Sequence, residues 1–79
     1  MKYSTIRDKV IKPKLIDMLG EALAEEIYTN AWFDSAKGKD DRECLQYFVD
    51  KTCSDQRFLG MWGTAQAQKQ KKEWLNLLT

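Results

Sequence analysis

The chain has 79 residues, 43% of them hydrophobic and 32% charged, and its 13 basic and 12 acidic groups nearly cancel to a net charge of +1. That balance excludes a disordered charged tail, and no apolar run approaches the roughly 20 residues that span a bilayer. One domain of this size hides only about 60% of the surface its unfolded chain exposes, so a marginal core is expected.

The opening MKYSTIRDKV has no apolar segment of signal-peptide type, which predicts a cytoplasmic protein. Thr5 and Asp8 form a loose capping box with Ile6 and Val10 on one side, and Lys12-Pro13 predicts an early stop, because a residue preceding proline avoids the α region. Pro13 suits the first turn of a second helix, where its missing N–H is not needed. From Leu15 the apolar positions 15, 16, 19, 22, 23, 27 and 31 recur at helical spacing, with Asp17, Glu21, Glu25 and Glu26 opposite. This predicts one helix that tolerates Gly20 at a cost of about 1 kcal/mol and frays within TNAWFDSAKG. Asp40 followed by Glu43 is a second capping signature, ahead of a stripe made by Cys44, Leu45, Phe48, Val49 and Thr52. Ser54 is expected to cap a further turn through Arg57, Phe58 and Leu59. A last helix from residue 64 to about 78 places Ala67, Lys71, Trp74, Leu75 and Leu78 near one face. No stretch alternates with the period of two that a strand requires. The expected fold is therefore all-α, a small bundle of about four helices in a single domain over residues 1–79.

Charge is unevenly spread: residues 1–20 carry +3, residues 21–50 carry −5, and residues 51–63 and 64–79 carry +1 and +2. Such polarity can steer a charged partner, or the two ends can fold back and neutralise the middle, which is the plainer expectation. Cys44 and Cys53 would stand about 13 Å apart on one helix, too far to bridge, and are expected to be reduced thiols filling the core.

Chemistry-bearing patterns are few. Histidine is absent, which removes the commonest general base and the usual partner of a serine or cysteine nucleophile. Two thiols without imidazole fall short of a closed zinc site. A calcium loop begun at Asp34 would put Ala36 and Gly38 where oxygen ligands belong and Leu45 where a bidentate glutamate belongs. Glu25 and Glu26 are neighbours and point in different directions on a helix, so they make no acid–base couple. No enzyme activity, metal or cofactor is expected.

GMWG at residues 60–63 has the letters of the GXXG backbone clamp of KH domains, but that loop sits in a mixed α/β fold and no strand is visible here. A joint between helices, with Gly63 in a left-handed conformation and Thr64 capping the next helix, accounts for the same letters. Two surfaces remain. Three Trp, three Tyr, three Phe and three Met exceed what a small helical core comfortably hides. Trp32 and Phe33 at the end of the long helix, with Met61 and Trp62 in the joint, are the expected contact residues for another protein or a second copy of the chain. The alternative is a nucleic-acid-binding surface in which Lys69, Lys71 and Lys72 hold phosphates and Trp74 stacks a base, enlarged by Lys9, Lys12 and Lys14 if the chain ends meet.

Overall fold

Residues 2–78 are described by the structure, a computed structural model, and all of their regular structure is helical. The first helix, α1, begins with an α turn at Tyr3–Thr5, widens to π-type bonding over Ile6–Ile11 and returns to α geometry over Lys12–Leu19. The expected stop before Pro13 is thus overturned. In an α-helix the proline ring would crowd the carbonyl four residues back and leave it without a donor. Here the hydrogen bonding has shifted to a five-residue span, with the Lys12 N–H donating to the Arg7 carbonyl, and the helix passes through the proline in a widened turn. Ile6, Ile11 and Leu15 are fully buried.

The helix expected to run through Gly20 is instead broken there. Gly20 has φ 85° and ψ 163°, a region essentially reserved for glycine, and α2 occupies Glu21–Ser35. α1 and α2 form an antiparallel hairpin whose rungs succeed one another: Lys12 meets Glu25, Asp8 meets Tyr28, Arg7 meets Trp32 and Tyr3 meets Ser35. The last rung explains why α2 does not fray within TNAWFDSAKG. Ser35 is buried, its hydroxyl donates to the Trp32 carbonyl at 2.7 Å, and it accepts from Tyr3 at 2.5 Å.

The connection to α3, Asp41–Ser54, is pressed against the protein body: a Cβ on Gly38 would lie 2.5 Å from the Cys44 amide nitrogen. The capping signature at Asp40 holds. Its carboxylate accepts from the Glu43 N–H at 2.8 Å, and Glu43 in turn accepts from the Lys39 N–H at 3.2 Å. α3 contributes Leu45, Phe48 and Val49 to the cluster that Ala24, Ile27 and Ala31 of α2 and Ile6, Ile11 and Leu15 of α1 complete. Tyr3 and Tyr28 both meet the Phe48 ring edge-on, at 6.1 and 5.7 Å. Thr52 is fully buried in the same face, and its hydroxyl has no hydrogen-bond partner among the described residues.

Asp55, rather than Ser54, caps α4, Gln56–Asn76, by accepting from the Arg57 N–H at 2.9 Å. This last segment is bent at Gly63, where φ is 81° and ψ is 164°. Phe58 and Trp74 lie sixteen residues apart, about 24 Å along a straight helix, yet their ring centroids are 6.2 Å apart. Residues 64–76 therefore fold back, and Ala67 and Trp74 join the core. The expected glycine joint is present, with a more extended backbone than the left-handed helical position. The Cα radius of gyration, 11.3 Å, is close to the ~11.6 Å expected of a packed domain of this length.

Candidate functional site

Most of the large apolar side chains are buried in the core or packed against it, and this makes the exceptions informative. Phe33 is 76% exposed, Met61 56% and Trp32 52%, with Leu23 and Tyr47 at the edge of exposure. Trp32 and Phe33 sit in the last turn of α2, kept helical by Ser35, and with Ala36 they line an open apolar hollow of about 410 Å³.

Trp32 is held from the side. The Arg7 guanidinium lies 5.2 Å from its ring centroid and 5.1 Å from that of Tyr3, and Tyr28 packs at 6.1 Å. Arg7 is itself fixed by a two-pronged pair with Asp8, at 2.8 and 3.0 Å, and Asp8 accepts from the Tyr28 hydroxyl at 2.5 Å. Each group stabilises the ionisation state of the next. The Arg7 bond holds the Asp8 carboxyl down at about 2 against the desolvation that opposes it, and burial, followed by the bond to Asp8, pushes Tyr28 up to about 12. The Asp8 bond likewise raises Arg7. The ring of Trp32 is thus a half-covered surface braced by Arg7 and Tyr28, and Phe33 beside it projects into solvent.

Met61 and Trp62 occupy a different place. Trp62 is partly buried on Phe58, centroids 5.2 Å apart, with the Lys14 ammonium 5.5 Å from its ring. Lys14 and Arg7 are seven residues apart in α1, a rise of about 10 Å, so the two tryptophans lie at separate levels of the hairpin. The four expected contact residues are not gathered into one centre: Trp32 and Phe33 form one, and Met61 stands at the bend as another. Sequence reasoning missed Arg7, Tyr3 and Ala36. The first two reach Trp32 and its neighbours from the far arm of the hairpin, and no local spacing signals such a contact.

The basic alternative is dispersed. Trp74 is only 2% exposed, so its ring is in the core and not available to stack a base, which corrects that expectation. Lys71 pairs with Asp50, Lys12 with Glu25 and the Tyr28 ring, and Lys14 lies over Trp62; Lys69 and Lys72 remain exposed. Both thiols are free, with Cys53 buried and Cys44 half-buried. Burial pushes Cys53 up to about 11 and raises Cys44 as well, which keeps both protonated at neutral pH. Among the described residues no group of three or more His, Cys, Asp or Glu is placed to hold a metal ion, and no helix is long and apolar enough to cross a membrane.

Comparison with known protein families, with curated proteins and with solved structures finds no match to this chain.

Proposed function

We propose that this protein is a non-catalytic binding module that seats a partner protein on the Trp32–Phe33 corner of α2. The observation that carries this reading is the pairing of two adjacent, strongly exposed aromatic rings over an apolar hollow, in a molecule that buries most of its other rings. Aromatic anchors of this kind supply most of the affinity of protein interfaces, because a large rigid surface leaves water at small entropic cost. Arg7 and Tyr28 brace the Trp32 ring before a partner arrives, which lowers that cost further. The two unbridged thiols favour a reducing, cytoplasmic setting.

The test is affinity capture from the native host with the wild type and Phe33→Ala, after circular dichroism has shown equal helix content. A specific protein retained by the wild type is expected to be lost from Phe33→Ala, with affinity lowered roughly 30-fold or more, as for an anchor residue. Retention is also expected to change little between low and high salt, whereas phosphate contacts through Lys69 and Lys72 would weaken log-linearly. Identical retention by both proteins would refute the assignment.

A further inference from the structure

Residues 64–76 are joined to the rest of the chain through one unusual residue. Within α4 only Gly63 departs from helical backbone angles, and it does so at a positive φ. Returning that one residue to helical values would make Gln56–Asn76 a single rod of about 31 Å. The whole folded molecule measures 30 Å along its longest axis. In the rod, Phe58 and Trp74 would part from their 6.2 Å contact, Lys71 would leave Asp50, and Ala67 and Trp74 would come out of the core. The surfaces so uncovered, one formed by α3 together with Phe58 and one on the arm, are shaped for each other, and a second copy of this chain offers both.

We propose that the chain forms a reciprocal dimer by exchanging residues 64–76 about Gly63, each arm packing on the other copy's α3 with the contacts it makes in the monomer. This surface is separate from the Trp32–Phe33 corner and does not depend on that assignment. Gly20 has almost the same conformation, φ 85° and ψ 163°, but its opening would uncover Tyr3, Ile6, Ile11 and Leu15 and break every rung of the α1–α2 hairpin. Opening Gly63 releases two buried side chains, Ala67 and Trp74, the partly buried Leu75, Leu77 and Leu78, and the Asp50–Lys71 ion pair, and leaves the hairpin's polar rungs intact. The arm of Gly63 is therefore the one that exchanges. A tethered arm meets its own α3 at an effective concentration in the mM range, which favours the monomer in dilute solution. A continuous helix at each hinge pairs within itself the backbone groups that a helix end must otherwise satisfy elsewhere.

Gly63→Ala biases the hinge without a steric clash, since a Cβ there meets nothing within 4 Å. Alanine is penalised at positive φ and favoured in a continuous helix, and with two hinges per dimer the dissociation constant is expected to fall roughly 1,000-fold. The reporter is the Asp50–Lys71 contact, which a carbodiimide converts to an amide with loss of water. Equal amounts of unlabelled and nitrogen-15-labelled chains are refolded together at about 1 mM, in the range of the effective concentration, then cross-linked and digested. An exchanged dimer gives Asp50–Lys71 peptide pairs of mixed isotope, whereas a monomer gives only unmixed pairs. Gly63→Ala is expected to be dimeric with mixed pairs, and Gly60→Ala, which also has free space for its Cβ, to behave as wild type. A monomeric Gly63→Ala, or a dimer with unmixed pairs, overturns the proposal. Should Gly63→Ala fail to fold, the wild type refolded at the same concentration decides: mixed pairs support exchange, and their absence refutes it.

Discussion

Gly20 joins α1 to α2, and Gly63 bends α4, with φ and ψ that agree within a few degrees. What differs is the grip on either side of the joint. The α1–α2 hairpin is closed by buried aliphatic side chains and by a ladder of polar and cation–ring contacts: Arg7 on Trp32, Asp8 with Tyr28, Lys12 with Glu25 and Tyr28, Tyr3 with Ser35. The arm beyond Gly63 is closed by Trp74 and Ala67, by the partly buried Leu75, Leu77 and Leu78, and by the Asp50–Lys71 pair. A shared backbone device thus makes a welded corner in one place and a latch in the other, and the side chains facing each joint decide which.

Core truncations test that contrast most forcefully. Leu15→Ala is expected to cost about 2–5 kcal/mol and to lower the urea midpoint of the whole molecule in one transition. Trp74→Ala is expected to cost less than the ~3–5 kcal/mol typical of a buried tryptophan, because the arm lets go before the rest unfolds. Amide hydrogen exchange should then accelerate in residues 64–76 while α1 and α2 keep their protection. If α1 amides accelerate in step with the arm, the latch does not exist.

A smaller effect, confined to the welded corner, is expected from pH. Asp8 is held at about 2 in the fold, below its ordinary value, so its contribution to stability is fully present above pH ~4 and is lost as pH falls from there through 2. Tyr28 is raised to about 12, so its contribution is fully present below pH ~10 and is lost as pH rises toward 12. Denaturation midpoints measured across pH should fall at both ends for the wild type. Asp8→Asn should flatten the acid limb, and Tyr28→Phe the alkaline limb. An unchanged acid limb in Asp8→Asn would mean that the ladder contributes little.

The smallest expected change is a gain. Thr52 lies in α3, against which both the hairpin and the arm pack, and its buried hydroxyl lacks a partner among the described residues. Thr52→Val keeps the shape and removes the desolvated group, so stability should rise by about 1 kcal/mol. The difference in exchange rate between arm and hairpin should be unaltered. A loss of stability instead would point to a hydrogen bond by the Thr52 hydroxyl.

The helical class and the α3 cap could be read from residues a few positions apart, because apolar spacing and Asp40–Glu43 are local signals. The joints could not. Gly20 interrupts apolar spacing that is continuous in the letters, and only the packing of α1 back on α2 makes a reversal there more favourable than a straight helix. Pro13 reads as a stop, yet five-residue bonding carries α1 through it while Ile11 and Leu15 stay buried. Of the expected contact residues, Trp32 and Phe33 are exposed, as their place beside a charged connection suggests. The burial of Trp74 depended on the fold-back at Gly63, which brings it to Phe58.

Gly38 gives that charged connection an unexpected character. Lys37, Lys39 and Asp40 lie in it, flanked by Asp34 at the end of α2 and by Asp41, Arg42 and Glu43 at the start of α3, a composition usual in a floppy tether. There is no room for even a methyl group between Gly38 and the Cys44 backbone, so the connection packs directly on the first turn of α3. The backbone that carries these charges is therefore seated on the body of the molecule, even where the side chains themselves stand in solvent.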